Sequence, residues 1–273
     1  MKKNLFKTIS LGIVTVLSSA LLVGCGGRGN DEKTIRIGAT PSPHAEILEQ
    51  VKEELEEKGY KLEIVVYNDY VLPNTATNEG ELDANFFQHK PYLDNFNEEN
   101  ETELVSVAAI HFEPLGIYSD KVDSIEKIGK GATIGVPNDA TNEARALLLL
   151  EANGLITLEE DAGINATIGD IISNPKNLKI KELEAAQLAR SLQDLDAAVI
   201  NGNYAISGGL KVADAIAVEE NTSVAAETYA NIVVVKKGNE DSDKIQALIE
   251  ALESEDVKKY IEEHYEGAVV PVN

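Results

Sequence analysis

The chain has 273 residues and is strongly acidic, with 24 Lys and Arg against 47 Asp and Glu and a formal net charge of −23 at pH 7. Its length suits one large or two medium domains. We expect no binding to nucleic acid, because phosphates are neutralised by basic side chains. We also expect the protein body to stay off anionic lipid headgroups, which attract basic surfaces.

The first 24 residues have the pattern of a secretory signal. Lys2, Lys3 and Lys7 precede an uncharged run from Thr8 to Gly27. A basic start, a short apolar stretch and small residues before the cleavage point are typical of such signals. A membrane-spanning helix is the alternative, because about 18 uncharged residues can suffice, but the Ser, Thr and Gly residues within the run disfavour it. Removal of residues 1–24 leaves a net charge of −26.

Cys25 is the only cysteine of the chain, so it cannot form an internal disulfide. It follows Leu22-Val23-Gly24, which resembles the bacterial lipobox, where the cysteine receives a diacylglyceryl group and becomes the first mature residue. Two acyl chains such as palmitate anchor a protein stably to a membrane. We therefore predict lipidation at Cys25, with residues 25–32 forming a flexible tether.

Strands and helices alternate along the rest of the chain. Thr34–Ala39 predicts a strand, the segment from Pro43 to Gly59 a helix, and Leu62–Val66 a buried strand. Further strands are predicted at Ala132–Val136, Leu178–Leu183, Ala197–Ile200 and Asn231–Val235, and further helices at Asn142–Asn153 and in one stretch through Leu248, Leu252 and Ile261. This alternation predicts an α/β fold with mainly parallel sheets.

Aromatic residues cluster between Tyr67 and Phe96. This segment holds six of the fourteen aromatics of the chain and interleaves them with the polar residues Asn74, Asn85, Gln88 and His89. Apolar walls with a few directional polar groups are what a small-molecule pocket needs. An ordinary core is the alternative interpretation, because aromatic side chains are also common there.

The wording of this segment resembles a known family. DYVLPN and DANFFQHKPYLDNF are similar to the signature of the NlpA/MetQ family, the methionine-binding lipoproteins that feed bacterial ABC importers. The resemblance continues in family order through IRIGATPSPHAEIL, ATIGVPNDATNEARALLLLEANGLI, DAAVINGNYAISGGL and YANIVVVKKGNED. It therefore extends over nearly the whole mature chain.

The resemblance implies a two-lobed α/β fold of the type II periplasmic-binding-protein class, with two crossovers and a central ligand cleft. The first lobe would hold residues 33–126 and 227–273, and the second lobe residues 127–226. Two crossovers can act as a hinge, so that closure of the lobes buries the ligand.

Arg145 is the candidate for binding a ligand carboxylate, because a guanidinium forms two parallel hydrogen bonds with that group. It lies one turn after Asn142 on a predicted helix. An ion pair on the surface is the alternative for a single helical arginine. The family resemblance places Arg145 at the ligand carboxylate, and we take Asn142 as a further ligand-binding residue.

The remaining site residues also follow from the resemblance. It assigns ligand binding to Asn201 and Asn231, whose amide oxygens suit an ammonium group, although Asn201-Gly202-Asn203 is equally a turn signal. A methionine thioether would lie against aromatic rings. The candidates are Tyr67, Tyr70, Phe86, Phe87 and Tyr92, with His89 at the rim.

Other chemistry has little support in the sequence. The four histidines show no paired spacing for zinc and have no cysteine partner, and no phosphate-binding loop or nucleophile motif occurs. We therefore predict no metal site, no cofactor and no enzymatic activity.

The function that these patterns predict is capture of L-methionine by a monomeric lipoprotein and its delivery to an ABC permease and ATPase complex. The protein would face the extracytoplasmic side of the cell membrane, held by the lipid on Cys25. A methionine-containing dipeptide or another apolar amino acid is the alternative ligand. A surface interaction lipoprotein and a secreted enzyme are alternatives of other classes.

Overall fold

The computed structural model describes residues 32–221 and 223–272, so the signal segment and Cys25 lie outside the described residues. Residues from Glu32 onward form one compact unit. Its strands are β1 Thr34–Ala39, β2 Lys61–Val66, β3 Ala84–His89, β4 Leu104–Phe112, β5 Gly116–Tyr118, β6 Thr133–Pro137, β7 Thr157–Leu158, β8 Ile171–Ser173, β9 Lys179–Leu183, β10 Ala197–Ile200, β11 Ala217–Val218, β12 Ala230–Lys236 and β13 Val270–Pro271.

The helices pack against the faces of these strands. They are α1 Glu46–Gln50, α2 Lys52–Glu57, α3 Leu72–Glu79, α4 Lys90–Asn100, α5 Ala140–Ala152, α6 Ala185–Ser191, α7 Gly202–Ser207, α8 Ser223–Thr228, α9 Asp243–Leu252 and α10 Glu255–Tyr265. Single 3₁₀ turns occur at Ile125–Lys127, Gly163–Asn165, Ile168–Asp170, Leu192–Asp194 and Val212–Asp214. None of the helices in the described ranges is long and apolar enough to cross a bilayer.

The predicted strands are present, but two predicted helices are divided. After β1 the chain makes an irregular turn over Pro41–Ala45, and α1 and α2 are then separated at Val51, whose ψ of 0° is not helical. The single C-terminal helix is also wrong, because α9 ends at Leu252 and α10 starts anew. Ser254 caps α10 by accepting a hydrogen bond from the N–H of Val257, a role that serine favours over a helix interior.

Two mixed sheets form the framework of the molecule. The larger has the strand order β13-β4-β12-β3-β1-β2, the smaller has the order β11-β5-β10-β6-β9, and β7 and β8 form a separate pair. The pairs β1/β2, β1/β3, β6/β9 and β6/β10 are parallel, whereas β12 and β5 pair antiparallel with their neighbours. The prediction of mainly parallel sheets is therefore wrong.

Each antiparallel pair in the two sheets includes a strand that adjoins one of the two crossovers, the segments in which the chain passes from one sheet to the other. The first passage, residues 113–115, joins β4 to β5, and the second, residues 219–229, joins β11 to β12. The two crossovers are hydrogen-bonded to each other, because the N–H of Glu219 donates to the carbonyl of Leu115 at 2.8 Å. The N–H of Leu115 in turn donates to Glu219 Oε2 at 3.1 Å.

Each sheet has its own hydrophobic core. Residues of β1, β3 and β12 pack with α1, α9 and α10, and residues of β6 and β10 pack with α5. These two cores and the two crossovers agree with the expected two-lobed architecture. The limits of the lobes stay a prediction, and sheet membership would place the first one at residues 113–115 rather than at residue 126.

Candidate ligand-binding site

A pocket lies where the two sheets approach each other beside the crossovers. It is lined by Tyr70, Phe87, Gln88, His89, Tyr92, Glu113, Asn142, Arg145, Asn201, Gly202, Asn203 and Asn231. These residues come from strands β3 and β12 of the larger sheet, from helices α4 and α5, from the start of α7, from the loop before α3 and from the first crossover. Eight of the ten ligand-binding residues that the sequence predicts are among them, and the exceptions are Tyr67 and Phe86.

The strand geometry explains why Phe86 and Phe87 differ. The pairing of β3 with β12 passes from Gln88 to Phe86 and skips Phe87, where the register shifts. Such a bulge re-aims side chains beside a functional site. Phe87 lines the pocket, whereas Phe86 is fully buried in the core, with its ring 4.7 Å from that of His44. Tyr67 packs close to the backbone of Gly38 instead of lining the pocket.

The amide residues of the aromatic segment form a network that attaches α3 to β3. Gln88 Nε2 donates to Asn74 Oδ1 at 2.6 Å, and Asn74 Nδ2 donates back to Gln88 Oε1 at 2.9 Å. Asn85 Nδ2 donates to Asn74 Oδ1 and to Thr77 Oγ1. Because all four side chains are buried, this mutual satisfaction of donors and acceptors fixes the wall of the pocket.

Arg145 occupies the inner end of the pocket and contacts both crossovers. Its Nη2 donates to the carbonyl of Glu113 at 2.9 Å, and its Nε donates to Glu219 Oε1 at 3.0 Å. A second, very short contact joins Nη2 to the Glu219 carboxylate. The guanidinium carbon lies 4.3 Å from the ring centroid of Tyr229, at cation–π distance.

The contact with Glu219 changes the expectation for Arg145. The two side chains are 4% and 15% exposed, so the pair is largely buried and not the surface pair that the sequence left open. The Glu219 carboxylate contacts Nε and Nη2 of Arg145, so Nη1 is the guanidinium nitrogen that is not engaged in this ion pair. A ligand carboxylate would therefore meet an arginine that Glu219 already holds in a fixed orientation.

Asn142 joins residues from the two sheets. Its Oδ1 accepts hydrogen bonds from His89 Nε2 at 3.1 Å and from Asn201 Nδ2 at 2.7 Å. Asp139 caps α5 by accepting from the Asn142 backbone N–H and from Asn142 Nδ2. His89 Nδ1 accepts from the N–H of Tyr92, which leaves Nε2 as the protonated nitrogen of the ring.

The loop at the start of α7 carries unpartnered polar atoms. Asn203 Oδ1 accepts a hydrogen bond from the Tyr70 hydroxyl at 2.6 Å. Asn201 Oδ1 and Asn203 Nδ2 are buried and have no partner among the described residues, and the same holds for His111 Nδ1. Unsatisfied buried polar atoms are uncommon in native structures. Asn201 and Asn203 line this pocket, so their unpartnered atoms favour a polar ligand there.

Asn231 stands at the start of β12, opposite His89 on one side and His111 on the other. Its Oδ1 accepts from His44 Nε2 at 2.9 Å, while His44 Nδ1 is 2.7 Å from the hydroxyl of Thr40. The predicted role of Asn231 in ligand binding is thus accompanied by a contact that orients its amide group.

Three aromatic rings, those of Tyr70, Phe87 and Tyr92, form the outer end of the pocket, and Tyr204 packs against Tyr70. The Tyr70 ring lies 5.7 Å from Phe87, 5.6 Å from Tyr92 and 4.9 Å from Tyr204. Tyr70, Tyr92 and Tyr204 also line a neighbouring cavity that opens from this end. Offset and edge contacts at such distances are favourable, and they give an apolar wall of defined shape.

Burial keeps the histidines of this region neutral. It lowers the pKa of His44 to about 4 and that of His111 to about 3. Burial, helped by the charge of Arg145, also lowers the pKa of His89 to about 3. All three rings therefore act as neutral donors and acceptors at pH 7.

His44, His111 and Glu113 come together although they are distant in the sequence, and their donor atoms lie within 4.8 Å of one another. These residue types can bind a metal ion, which the spacing of the histidines did not predict. Each is already engaged, however, because His111 Nε2 is 2.8 Å and His44 Nε2 is 3.4 Å from Glu113 Oε1. In a tetrahedral zinc site the ligand atoms would lie about 3.3 Å from one another, given bonds of about 2.0–2.1 Å. The 4.8 Å within which these three donor atoms lie is a looser spacing than that.

Several residues that line the pocket or pack against its aromatic rings were not predicted from the sequence. Glu113 has a signal that could have found it, because it is an acidic residue within the long apolar stretch between Val105 and Tyr118. Asn203 was noted only as a flank of Gly202. Tyr204 carries no local signal, since its place beside Tyr70 depends on the approach of α7 to the other sheet.

Comparison with known proteins agrees with this fold. The family model for NlpA lipoproteins matches residues 35–273. The methionine-binding lipoprotein MetQ of Bacillus subtilis is 42% identical over 98% of this chain and 99% of its own length.

Two solved structures extend the comparison. A lipoprotein from Ruminococcus gnavus is 55% identical and superposes with a TM-score of 0.86 over 88% of this chain and 100% of that one. A nutrient-binding protein from Burkholderia cenocepacia, solved bound to methionine, is 42% identical with a TM-score of 0.84 over 88% and 100% of the two chains. The Bacillus subtilis and Burkholderia cenocepacia relatives are named as binding proteins, and the family is one of substrate-binding lipoproteins and not of enzymes. The chain belongs to the NlpA lipoprotein family and has its two-lobed α/β fold.

Proposed function

We propose that this protein is the lipid-anchored substrate-binding component of an ABC importer and that it captures L-methionine in the pocket between its lobes. The observation that carries the proposal is the unpartnered, buried Asn201 Oδ1 in a pocket that also holds Arg145 and an aromatic wall. Such a pocket offers a cation for a carboxylate, acceptors for an ammonium group and apolar faces for a thioether.

The proposed binding mode assigns each part of the ligand. Arg145, oriented by Glu219, binds the carboxylate. Asn201 and Asn231 supply amide oxygens near the ammonium group, and Asn142 holds Asn201 in place. Tyr70, Phe87 and Tyr92 contact the side chain, with His89 at their edge. Sulfur–aromatic contacts of this kind contribute about 0.3–1.5 kcal/mol each.

Hydrogen bonds between the lobes support closure around the ligand. Tyr70 bonds to Asn203, and His89 bonds to Asn142, so residues of the first sheet reach residues of the second. Entry of a ligand requires these bonds to open, and the two crossovers are the segments about which the lobes can move. After closure the protein would deliver methionine to a permease and its ATPase.

The binding test is native mass spectrometry of residues 26–273, as purified and after unfolding and refolding. We expect a monomer that retains the mass of one methionine, and we expect L-methionine to rebind the refolded protein. Calorimetry with L-methionine, D-methionine, norleucine and glycyl-methionine then ranks the ligands. Retention of a dipeptide mass would show that the protein binds a dipeptide instead of free methionine. If the protein retains no ligand and calorimetry detects no binding to any member of the panel, the importer role is refuted.

The anchoring test is the variant Cys25→Ser in the full-length chain. If lipid on Cys25 anchors the mature protein on the extracytoplasmic face, the wild-type chain stays with the membrane fraction in detergent-free extracts and the variant does not. A Cys25→Ser protein that still sediments with membranes would show that another feature holds it there.

A further inference from the structure

Glu113 is a buried carboxylate at the inner end of the pocket. It lies in the first crossover, is 5% exposed and lines the same pocket as Arg145, Asn201 and Asn231. A carboxylate removed from water is unfavourable unless hydrogen bonds and a cation stabilise it. The partners of Glu113 therefore indicate what it can bind.

The groups that contact the Glu113 carboxylate are neutral. His111 Nε2 and His44 Nε2 lie 2.8 and 3.4 Å from Oε1, and the backbone N–H of Asn203 also donates to the carboxylate. Burial lowers the pKa of His44 to about 4 and that of His111 to about 3, so neither ring is charged at pH 7. The hydrogen bonds from His111 and from the N–H of Asn203 orient the carboxylate, the His44 ring lies beside it, and neither ring supplies a positive charge.

Arg145 is the nearby cation, but its bonds go elsewhere. Its Nε and Nη2 bind the carboxylate of Glu219, and its bond to Glu113 reaches the backbone carbonyl and not the side chain. The charge of Glu219 thus already matches that of Arg145. Among the described residues that touch the Glu113 carboxylate, none brings a full positive charge. Burial accordingly raises the pKa of Glu113.

The loop beside Glu113 adds a second acceptor and brings it close. Asn201 Oδ1 is buried and unpartnered in the same pocket. At Gly202 a Cβ would lie 2.7 Å from Glu113 Cβ and 2.8 Å from Oε2, so the absence of a side chain there permits the approach. An ionised carboxylate can accept about four hydrogen bonds, of which the neutral partners use only part. An ammonium group, with three donors, suits these acceptors.

We propose that Glu113 is the charged acceptor for the α-ammonium group of the ligand, which makes the site selective for a free amino acid. This inference rests on the proposed function and deepens it. Arg145 binds the carboxylate, Glu113 pairs with the ammonium group beside it, and His44 and His111 position Glu113. A dipeptide that ends in methionine presents an uncharged amide nitrogen at this point and therefore binds more weakly than methionine.

The test compares ligands that share the side chain and the carboxylate of methionine and differ at the α-nitrogen. Calorimetry on residues 26–273 measures L-methionine, its deamino analogue 4-(methylthio)butanoic acid, N-acetyl-L-methionine and glycyl-methionine. We expect the wild-type protein to prefer L-methionine by about 10- to 100-fold, the range for a hydrogen bond to a charged group. In Glu113→Gln the affinity for L-methionine should fall by a similar factor, while that for the deamino analogue changes by less than about threefold.

Control variants separate charge from shape. Glu126 lies on an exposed turn outside the pocket. The variant Glu126→Gln should keep the wild-type ratio of the affinities for L-methionine and for its deamino analogue. Glu113→Asp keeps the charge and should retain most of the discrimination. If Glu113→Gln does not fold, the wild-type preference over N-acetyl-L-methionine and Glu113→Asp still decide the matter. Equal affinity of the wild-type protein for L-methionine and for its deamino analogue would overturn the inference.

Three further outcomes would also contradict it. The wild-type protein could bind L-methionine while folded Glu113→Gln keeps the wild-type ratio of the affinities for L-methionine and its deamino analogue. The role proposed for Glu113 would then be wrong, and the proposed function would stand. If the wild-type protein binds no member of the panel, both fail. A loss of methionine binding after dialysis against a chelator, restored by Zn²⁺, would assign His44, His111 and Glu113 to a metal ion instead. We expect no effect of the chelator.

Discussion

The two ends of the pocket are built from different interactions. The inner end, formed by Glu113, Arg145, Asn201 and Asn231, consists of buried polar groups held by directional hydrogen bonds beside the crossovers. The outer end, formed by Tyr70, Phe87 and Tyr92, consists of rings in mutual contact, with Tyr204 packed against Tyr70. Under the proposed binding mode, the inner end would recognise the part common to all amino acids and the outer end would recognise the side chain.

This comparison predicts different tolerances at the two ends. Loss of one partner of a buried charge leaves the other unpaired, which is costly. Loss of part of an apolar wall forfeits a contact that neighbouring rings can partly replace. Substitutions at the inner end should therefore have larger effects, and the following predictions are arranged from the largest to the smallest.

Removal of the Arg145 guanidinium should have the largest effect. We expect Arg145→Ala to weaken L-methionine binding by about 2–5 kcal/mol, because the ligand carboxylate would lose its charged partner. The variant should also be less stable, since Glu219 would keep a largely buried charge without its partner. Calorimetry and urea unfolding measure the two effects.

A double variant distinguishes binding from stability at this position. Arg145→Met with Glu219→Met removes both charges, so we expect it to recover stability relative to Arg145→Ala but not to recover binding. The exposed Arg190→Ala serves as the matched control and should change neither property. Wild-type affinity in the double variant would separate Arg145 from ligand recognition.

The buried histidines should make stability depend on pH. The folded-state pKa values of His44, His89 and His111 are about 4, 3 and 3, below the ordinary value of 6.5. Between these values the unfolded chain binds protons that the folded chain does not. The free energy of unfolding should therefore be fully retained above pH 6.5 and fall as the pH decreases, by up to about 1.4 kcal/mol per pH unit for each ring.

Urea unfolding between pH 4.5 and 7.5 measures this dependence. Glu113 contributes with the opposite sign, because burial raises its pKa, so the net slope is smaller than that of three rings. His111→Gln should reduce the slope, whereas the exposed His264→Gln should leave it unchanged. An unaltered slope in His111→Gln would show that this ring does not titrate as its burial requires.

The close approach at Gly202 should be sensitive to a single methyl group. In Gly202→Ala the new Cβ would meet the Glu113 side chain, so we expect a loss of about 1–3 kcal/mol in stability or in methionine affinity as Glu113 is displaced. Gly129→Ala, where nothing lies within 4 Å of the new Cβ, should stay within about 0.5 kcal/mol. Equal effects of the two substitutions would contradict the steric argument.

A substitution at the outer end should have the smallest effect. Tyr70→Phe keeps the ring and removes the hydroxyl that bonds to Asn203 across the lobes. We expect methionine affinity to fall by about 0.5–1.5 kcal/mol, the contribution of one neutral hydrogen bond. Tyr60→Phe, outside the pocket, is the control for calorimetry. A loss as large as that of Arg145→Ala would remove the proposed contrast between the two ends.

Much of the candidate site was visible in the sequence because aromatic and amide residues are concentrated in one segment. Tyr70, Phe87, His89 and Tyr92 could be selected on that ground, and all four line the pocket. Phe86 could not be told from Phe87, since the decisive feature is a register shift in the pairing of β3 with a strand far along the chain.

The division between sequence and tertiary structure follows the range of the interactions involved. Local patterns determined the first βαβ unit and the aromatic segment, because periodicity and side-chain chemistry act within a few residues, whereas the choice of Arg145 depended on the family resemblance. The meeting of His44, His111 and Glu113, and the pairing of Arg145 with Glu219, were decided only by the tertiary structure. These contacts join residues on different strands and crossovers, and they exist because the packing of two separate cores brings both passages of the chain to the same place.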